Sequence, residues 1–111
     1  MNELTKSEEL LLLAIMRLKN GAYGVSIKQK LLETSNRAMP YGTLYFILEQ
    51  LSNKGYVKRS SGLPTPERGG RRKSYYRLTE EGKTALSRAY EMQQNVWRGF
   101  PDLVTNYQAS K

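Results

Sequence analysis

Lysine and arginine side chains crowd one short stretch of the sequence, where together they could bind a polyanion. Residues 54–77 contain eight basic residues and a single acid, Glu67, so these 24 residues hold +7 of the net charge of +8. Such crowding causes repulsion within a folded protein, and phosphate contacts with counterion release usually relieve it. We therefore expect this stretch to bind nucleic acid, and a solvated basic loop is the alternative.

Residue types that catalyse reactions or bind transition metals are missing or poorly placed. The sequence has no cysteine and no histidine, which excludes thiolate zinc sites, cysteine nucleophiles and imidazole acid–base chemistry. Glu80 and Glu81 are adjacent, so on a helix they point about 100° apart, a poor geometry for a pair of cooperating carboxylates. No glycine-rich phosphate loop follows a predicted strand. We expect no enzyme, no metal site and no cofactor.

Size and hydropathy are those of one small domain. The chain has 111 residues, 39% of them hydrophobic, which suffices for a modest core. The longest apolar run, residues 10–16, is too short to cross a bilayer. Glu8 and Glu9 precede it, where a signal peptide would carry positive charge. We expect a soluble, cytoplasmic protein that does not bind membranes.

Two helices are predicted in the first third of the chain. Thr5 and Glu8 have the spacing of a capping box, so the first helix should begin near Lys6, and Asn20-Gly21 should end it. A second periodic stretch, residues 25–34, predicts a short helix with Lys28 and Lys30 outward. Its predicted inward residues are Ile27, Leu31 and Leu32.

A third helix, two strands and a final helix follow. The third helix has apolar residues at i, i+3, i+4 and i+7, namely Leu44, Ile47, Leu48 and Leu51. Strand-like residues at 56–60 and 74–78 flank a Gly/Pro/Arg-rich segment, which predicts a β-hairpin with a long tip. Thr79 should cap the last helix, and Gly99 with Pro101 should end it.

This order of elements predicts a mainly α (α+β) fold, the winged helix-turn-helix. We expect residues 1–79 to form the DNA-binding domain and residues 80–111 a dimerisation helix with its tail.

The outward side of the third helix could contact base edges in a major groove. Thr43 and Gln50 can donate and accept hydrogen bonds, and Phe46 can pack on a thymine methyl group. Tyrosine hydroxyls suit phosphates, whereas packing on neighbouring elements is the alternative for the aromatic residues. The hairpin arginines could follow a narrow minor groove. The predicted DNA-binding residues are Lys28, Tyr41, Thr43, Tyr45, Phe46, Gln50, Lys54, Arg68, Arg71, Arg72 and Lys73.

The last helix has an apolar side that no later element of the sequence could cover. Such a helix usually packs on its own domain or on a second copy, and we expect a homodimer to which the first helix contributes. The predicted interface residues are Leu11, Ile15, Ala89, Tyr90, Gln93, Val96, Trp97 and Phe100. Met92 and Trp97 could line a site for a hydrophobic or aromatic effector between subunits, although plain packing would explain them equally well.

Four segments spread along the chain, residues 22–27, 42–45, 54–57 and 69–82, carry specific motifs. They include Gly-Thr-Leu-Tyr at 42–45 and Arg-Arg-Lys-Ser-Tyr-Tyr-Arg-Leu-Thr at 71–79. In these motifs the chain resembles PadR-type transcriptional regulators of the subgroup with one C-terminal helix. The resemblance implies a dimeric repressor with its third helix in the major groove, its hairpin on the flanking DNA and its last helix at the dimer interface.

The resemblance also implies, for some members, a response to hydrophobic or phenolic small molecules. The third helix departs from the family's usual sequence in two places. Phe46 stands where the family often has proline, and Glu49-Gln50 occupy positions that are often basic. The hairpin should therefore supply more of the electrostatic attraction.

Two other functions are compatible with a basic winged helix. The first is protein docking without a role in DNA binding. The second is binding to a membrane surface, which the hairpin fits poorly because no Trp/Phe/Leu face opposes its charges.

Overall fold

The computed structural model describes residues 3–61 and 73–100. Over these residues it consists of four helices and one antiparallel two-stranded sheet, with a short 3-10 turn after the first helix. This order confirms the predicted mainly helical winged helix-turn-helix fold. In chain order the elements are α1 (Lys6–Leu18), the 3-10 turn (Lys19–Gly21), α2 (Gly24–Ser35), α3 (Tyr41–Asn53), β1 (Val57–Ser61), β2 (Ser74–Leu78) and α4 (Glu80–Trp97).

Local hydrogen bonds set the ends of these helices. The Thr5 hydroxyl accepts from the Glu8 amide at 3.1 Å, and the Glu8 carboxylate accepts from the Thr5 amide at 2.9 Å. This capping box starts α1 at Lys6, as predicted. The Thr79 hydroxyl accepts from the Gly82 amide at 3.0 Å and so caps α4. Gly55 has φ +80° and lets the chain turn from α3 into β1.

One apolar core lies between the inward sides of the helices and the base of the hairpin. Leu31 is buried in this core, but Leu32 is exposed, so its predicted inward position is wrong. The reason is that adjacent helical residues point about 100° apart. The buried apolar residues are Leu11, Leu12, Ala14, Ile15, Ala22, Ile27, Leu31, Met39, Leu44, Leu48, Leu51, Val57, Tyr76 and Leu86.

The position of α1 corrects one part of the predicted dimer interface. Leu11 is 0% exposed and Ile15 is 1% exposed within the single chain. Their side chains are already covered by the chain's own core, so they have no surface to offer a second subunit. The exposed apolar side chains of α1 are instead Leu13 and Met16.

Strand β2 has a second partner that sequence periodicity does not indicate. It pairs with β1 in a register that places Val57 opposite Leu78 and Arg59 opposite Tyr76. On its other side, Tyr23 forms an isolated bridge with Tyr75, and the Tyr76 amide donates to the Ala22 carbonyl at 2.9 Å. The segment before α2 is thereby tied to the hairpin.

Among the residues described, we find no helix with the length and apolar character that a membrane span requires.

Candidate nucleic-acid interface

The outer side of α3 forms an exposed surface of mixed chemistry. Burial of Leu44, Leu48 and Leu51 turns the opposite side of the helix to solvent. Thr43, Phe46 and Gln50 are all exposed there, and Phe46 is 61% exposed. The alternative in which Phe46 packs on a neighbouring element therefore does not hold in the single chain. An amide, a hydroxyl and a phenyl ring on one helix face can contact base edges.

Two tyrosines at the start of α3 form a cluster with Lys28. The Lys28 ammonium donates to the Met39 carbonyl at 2.6 Å and lies 4.6 Å from the centre of the Tyr41 ring. The rings of Tyr41 and Tyr45 stack with their centres 6.2 Å apart. The Tyr45 hydroxyl lies against Gly24, where a Cβ atom would overlap it. Lys28 thus holds the loop before α3 in place, and Tyr45 packs partly on α2.

Lys54 has a partner within the protein. Its ammonium lies 2.6 Å from a carboxylate oxygen of Glu8, which is almost fully buried. Burial alone would raise the pKa of Glu8, but hydrogen bonds from Lys54 and Thr5 and the charge of Lys54 hold it below its ordinary value. Because Glu8 neutralises the charge of Lys54, the geometry favours a structural role over the predicted DNA contact.

The hairpin, which we call the wing (residues 57–78), carries basic side chains on its exposed side. Lys58 and Arg77 are exposed and stand directly opposite each other across the two strands. Like charges in this arrangement destabilise a sheet unless an anion lies near them. The Lys73 ammonium lies 4.2 Å from the centre of the Tyr23 ring. The predicted contacts Arg68, Arg71 and Arg72 lie outside the described residues.

A groove of about 340 Å³ lies between α3 and the wing, and we call it the α3–wing groove. Arg59 and Tyr76 line its wing side, and Glu49 lines its helix side. Burial raises the pKa of the Tyr76 hydroxyl, while the charge of Arg59 and its hydrogen bond act in the opposite direction. Arg59 and Tyr76 are not among the residues predicted from the sequence to bind DNA. The alternation of β1 could have indicated Arg59, since it lies two residues after the inward-facing Val57.

The second half of α4 and the residues just after it expose apolar side chains. Tyr90, Val96, Trp97 and Phe100 are all exposed, and Gln93 is exposed beside them. Ala89 is only partly exposed.

A second groove, of about 600 Å³, lies between the start of α1 and α4, and we call it the α1–α4 groove. Met92, one of the two residues predicted to line an effector site between subunits, lines this groove within the single chain. Trp97 is not among its lining residues, which are Glu3, Leu4, Glu9, Tyr56, Glu80, Glu81, Thr84, Ala85, Arg88, Ala89 and Met92.

Three helices, the third of them exposed, and an adjacent basic hairpin define a winged helix-turn-helix, a fold typical of DNA-binding regulators. Residues 12–88, which are more than half of the chain, match the model of the Transcriptional regulator PadR-like family. The chain therefore belongs to the PadR-like family of transcriptional regulators, which are DNA-binding proteins and not enzymes.

Solved structures of similar fold include one member of the same family. A PadR family transcription regulator from Clostridium difficile is 27% identical, with a TM-score of 0.61 over 91% of this chain and 97% of that chain. RosR from H. salinarum is 26% identical, with a TM-score of 0.67 over 99% of this chain and 98% of that chain. A Streptococcus transcriptional regulator, 23% identical with a TM-score of 0.68 over 87% of this chain and 90% of that chain, shares the fold. No protein of curated function matches the chain.

Proposed function

We propose that this regulator is a homodimeric repressor that binds a pseudo-palindromic operator. In this proposal α3 enters the major groove of each half-site, and the wing contacts the flanking backbone or minor groove. The two half-sites would be about 34 Å apart, one turn of DNA, as for other symmetric helix-turn-helix proteins. Repression would follow because the bound dimer blocks polymerase. The observation that carries the proposal is the exposed outer side of α3 directly beside the basic wing.

The exposed apolar side of α4 supports the homodimer. Val96 is 67% exposed and Trp97 is 48% exposed in the single chain, beside Tyr90 and Phe100. A terminal helix with such a side commonly buries it against a second copy. We therefore assign DNA binding to residues 1–79 and dimerisation to residues 80–111, with Leu13 and Met16 of α1 as the contributors that replace Leu11 and Ile15.

The α1–α4 groove supports release by a small hydrophobic molecule. Leu4, Tyr56 and Met92 give it apolar walls beside the proposed dimer interface. A bound molecule would weaken operator binding only if it prefers a spacing of the two α3 helices that the operator does not fit. The four carboxylates around the groove, those of Glu3, Glu9, Glu80 and Glu81, disfavour an anionic ligand.

Operator binding is tested by selecting genomic fragments with the purified full-length chain and measuring affinity at several salt concentrations. The selected fragments should share a pseudo-palindrome. Replacing Arg71 and Arg72 with alanine should lower the slope of log K against log salt by about 0.9 for each phosphate contact that is lost. Lys83→Gln, which removes an exposed charge from α4, serves as the control. Absence of salt-sensitive binding even in dilute buffer would favour protein docking instead.

Repression is tested with a reporter gene placed behind a selected fragment. Expression should fall when the regulator is produced, and a rise would show activation. Light scattering at micromolar concentration tests the dimer, because a mass of 12.7 kDa would identify a monomer.

A further inference from the structure

We propose that the α3–wing groove holds one phosphate of the DNA strand that passes between α3 and the wing. The Arg59 guanidinium and the Tyr76 hydroxyl would bind this phosphate. This inference rests on the proposed mode of DNA binding and adds to it a site that neither the basic exposed side of the wing nor the outer side of α3 supplies.

The register of the sheet directs both side chains into the groove. Arg59 and Tyr76 are directly opposite each other, on the side of the sheet that also carries the buried Val57. Lys58 and Arg77 lie on the other side, since alternate residues of a strand point to opposite sides. Arg59 is therefore set apart from Lys58 and Arg77 and lines the groove beside α3.

Both groups have hydrogen-bonding capacity left for a ligand. Tyr76 is only 4% exposed, and the positive charge of Arg59 acts on its hydroxyl. Within residues 3–61 and 73–100, no side chain or carbonyl accepts the proton of that hydroxyl, and no carboxylate forms an ion pair with Arg59. A guanidinium has five N–H donors, so Arg59 retains several. A phosphate oxygen could accept from both groups at once.

The state of the Tyr76 hydroxyl suits this role. Burial keeps its pKa above the ordinary value despite the nearby Arg59 charge, so the group remains a neutral donor at physiological pH. A neutral hydroxyl beside a permanently charged guanidinium gives one charged and one uncharged contact to the same phosphate.

The position and the volume of the groove suit a phosphate group. It lies between α3, which would occupy the major groove, and the wing, which would contact the neighbouring backbone. A volume of about 340 Å³ admits a phosphate group with several waters, each of which occupies roughly 30 Å³. Ser52 and Asn53 add uncharged polar groups, whereas the Glu49 carboxylate opposes an anion. The Arg59 charge therefore becomes necessary to retain a phosphate there.

The experiment measures binding of full-length variants to a duplex selected from genomic DNA by the wild-type protein. Arg59→Gln should weaken binding about tenfold and lower the salt slope by about one. Tyr76→Phe should weaken binding about fivefold with the slope unchanged, because it removes a neutral donor. The fold-loss of affinity in the double variant should be smaller than the product of the two single fold-losses, because both groups would bind the same phosphate. Lys83→Gln, on α4, should change neither property. Melting temperatures without DNA show whether each variant remains folded.

A complementary experiment alters the DNA and compares wild type with Arg59→Gln. Methylphosphonates, which are uncharged, replace the phosphate at one position in both half-sites of the selected duplex, one symmetric pair at a time. At one position per half-site, wild type and Arg59→Gln should bind equally well. If no position removes the difference between them, or if Arg59→Gln keeps the wild-type salt slope, the phosphate site is wrong. If instead the wild-type protein selects no duplex at all, the proposed function itself fails.

Discussion

Replacing Glu8 with glutamine removes the carboxylate that joins the start of α1 to the end of α3. One carboxylate oxygen lies 2.6 Å from the Lys54 ammonium, and the other accepts the Thr5 amide at 2.9 Å. The side-chain oxygen of glutamine can still accept from the Thr5 amide, as in other capping boxes. The substitution therefore removes the ion pair while it leaves the start of α1 capped.

The expected loss follows from how deeply each partner is buried. The side chain of Glu8 is 4% exposed and that of Lys54 is 28% exposed. A hydrogen bond to a charged group contributes about 1.5–3 kcal/mol, and removing one partner of a fully buried pair costs about 3–5 kcal/mol. Because Lys54 keeps part of its hydration, we expect Glu8→Gln to cost about 2 kcal/mol. At roughly 4 °C per kcal/mol, the melting temperature should fall by about 8 °C.

The effect should also depend on pH. Burial raises the pKa of Glu8, but Lys54 and Thr5 lower it by more, so the pKa in the folded state lies below that in the unfolded state. The stabilisation is then complete above the unfolded-state pKa and is lost as the pH falls through the folded-state pKa. The difference in melting temperature between wild type and Glu8→Gln should therefore shrink as the pH falls from about 5 to about 3.

Differential scanning calorimetry at one fixed protein concentration measures both effects, since dimerisation would make melting depend on concentration. Glu9→Gln is the matched control, because Glu9 lies on the same helical turn and pairs with the exposed Lys6 at 4.0 Å. That exposed pair should contribute less than about 1 kcal/mol. The ion pair does not stabilise the fold in this way if Glu8→Gln lowers the melting temperature no more than Glu9→Gln does, or if its effect persists unchanged in acid.

Four further substitutions test separate parts of the structure. Gly82→Ala should destabilise the fold by about 2–3 kcal/mol in denaturant unfolding, because a Cβ atom would overlap the Tyr56 carbonyl oxygen. Gly42→Ala, whose Cβ would meet open space in α3, should instead stabilise it by up to about 1 kcal/mol. Glu49→Gln should tighten binding of a selected duplex about threefold in fluorescence anisotropy, and weaker binding would show that the carboxylate does not oppose phosphate. Val96→Asp should yield monomers in light scattering with little loss of stability, and a persistent dimer would exclude α4 from the interface.

Elements with a local signal could be predicted from sequence. The capping box of Thr5 and Glu8, the cap at Thr79 and the left-handed Gly55 place the helix ends at or beside the observed ones. Each of these signals depends on hydrogen bonds or dihedral angles within a few residues. The order of elements, and hence the fold, follows from them together with apolar periodicity.

Contacts between distant residues could not be predicted in the same way. Glu8 and Lys54 are 46 residues apart in the chain, and the strand pairing brings Arg59 opposite Tyr76 across the wing. Periodicity shows that a side chain faces inward, but not which group it meets.

The apolar side of α1 shows a related limit of sequence patterns. Residues 10–16 are all apolar, and periodicity alone does not divide such a wide stripe between the chain's own core and a second subunit. Leu11 and Ile15 belong to the core, whereas Leu13 and Met16 remain exposed.

The basic residues divide into those that stabilise the fold and those left for a ligand. Lys28 and Lys54 in the helical part are engaged by the Met39 carbonyl and by Glu8. In the wing, Lys58 and Arg77 repel each other across the sheet, and in the described part of the chain no carboxylate pairs with either. The free protein therefore bears an electrostatic cost that a phosphate backbone would relieve, so the charges that destabilise the isolated wing are also those that would bind DNA.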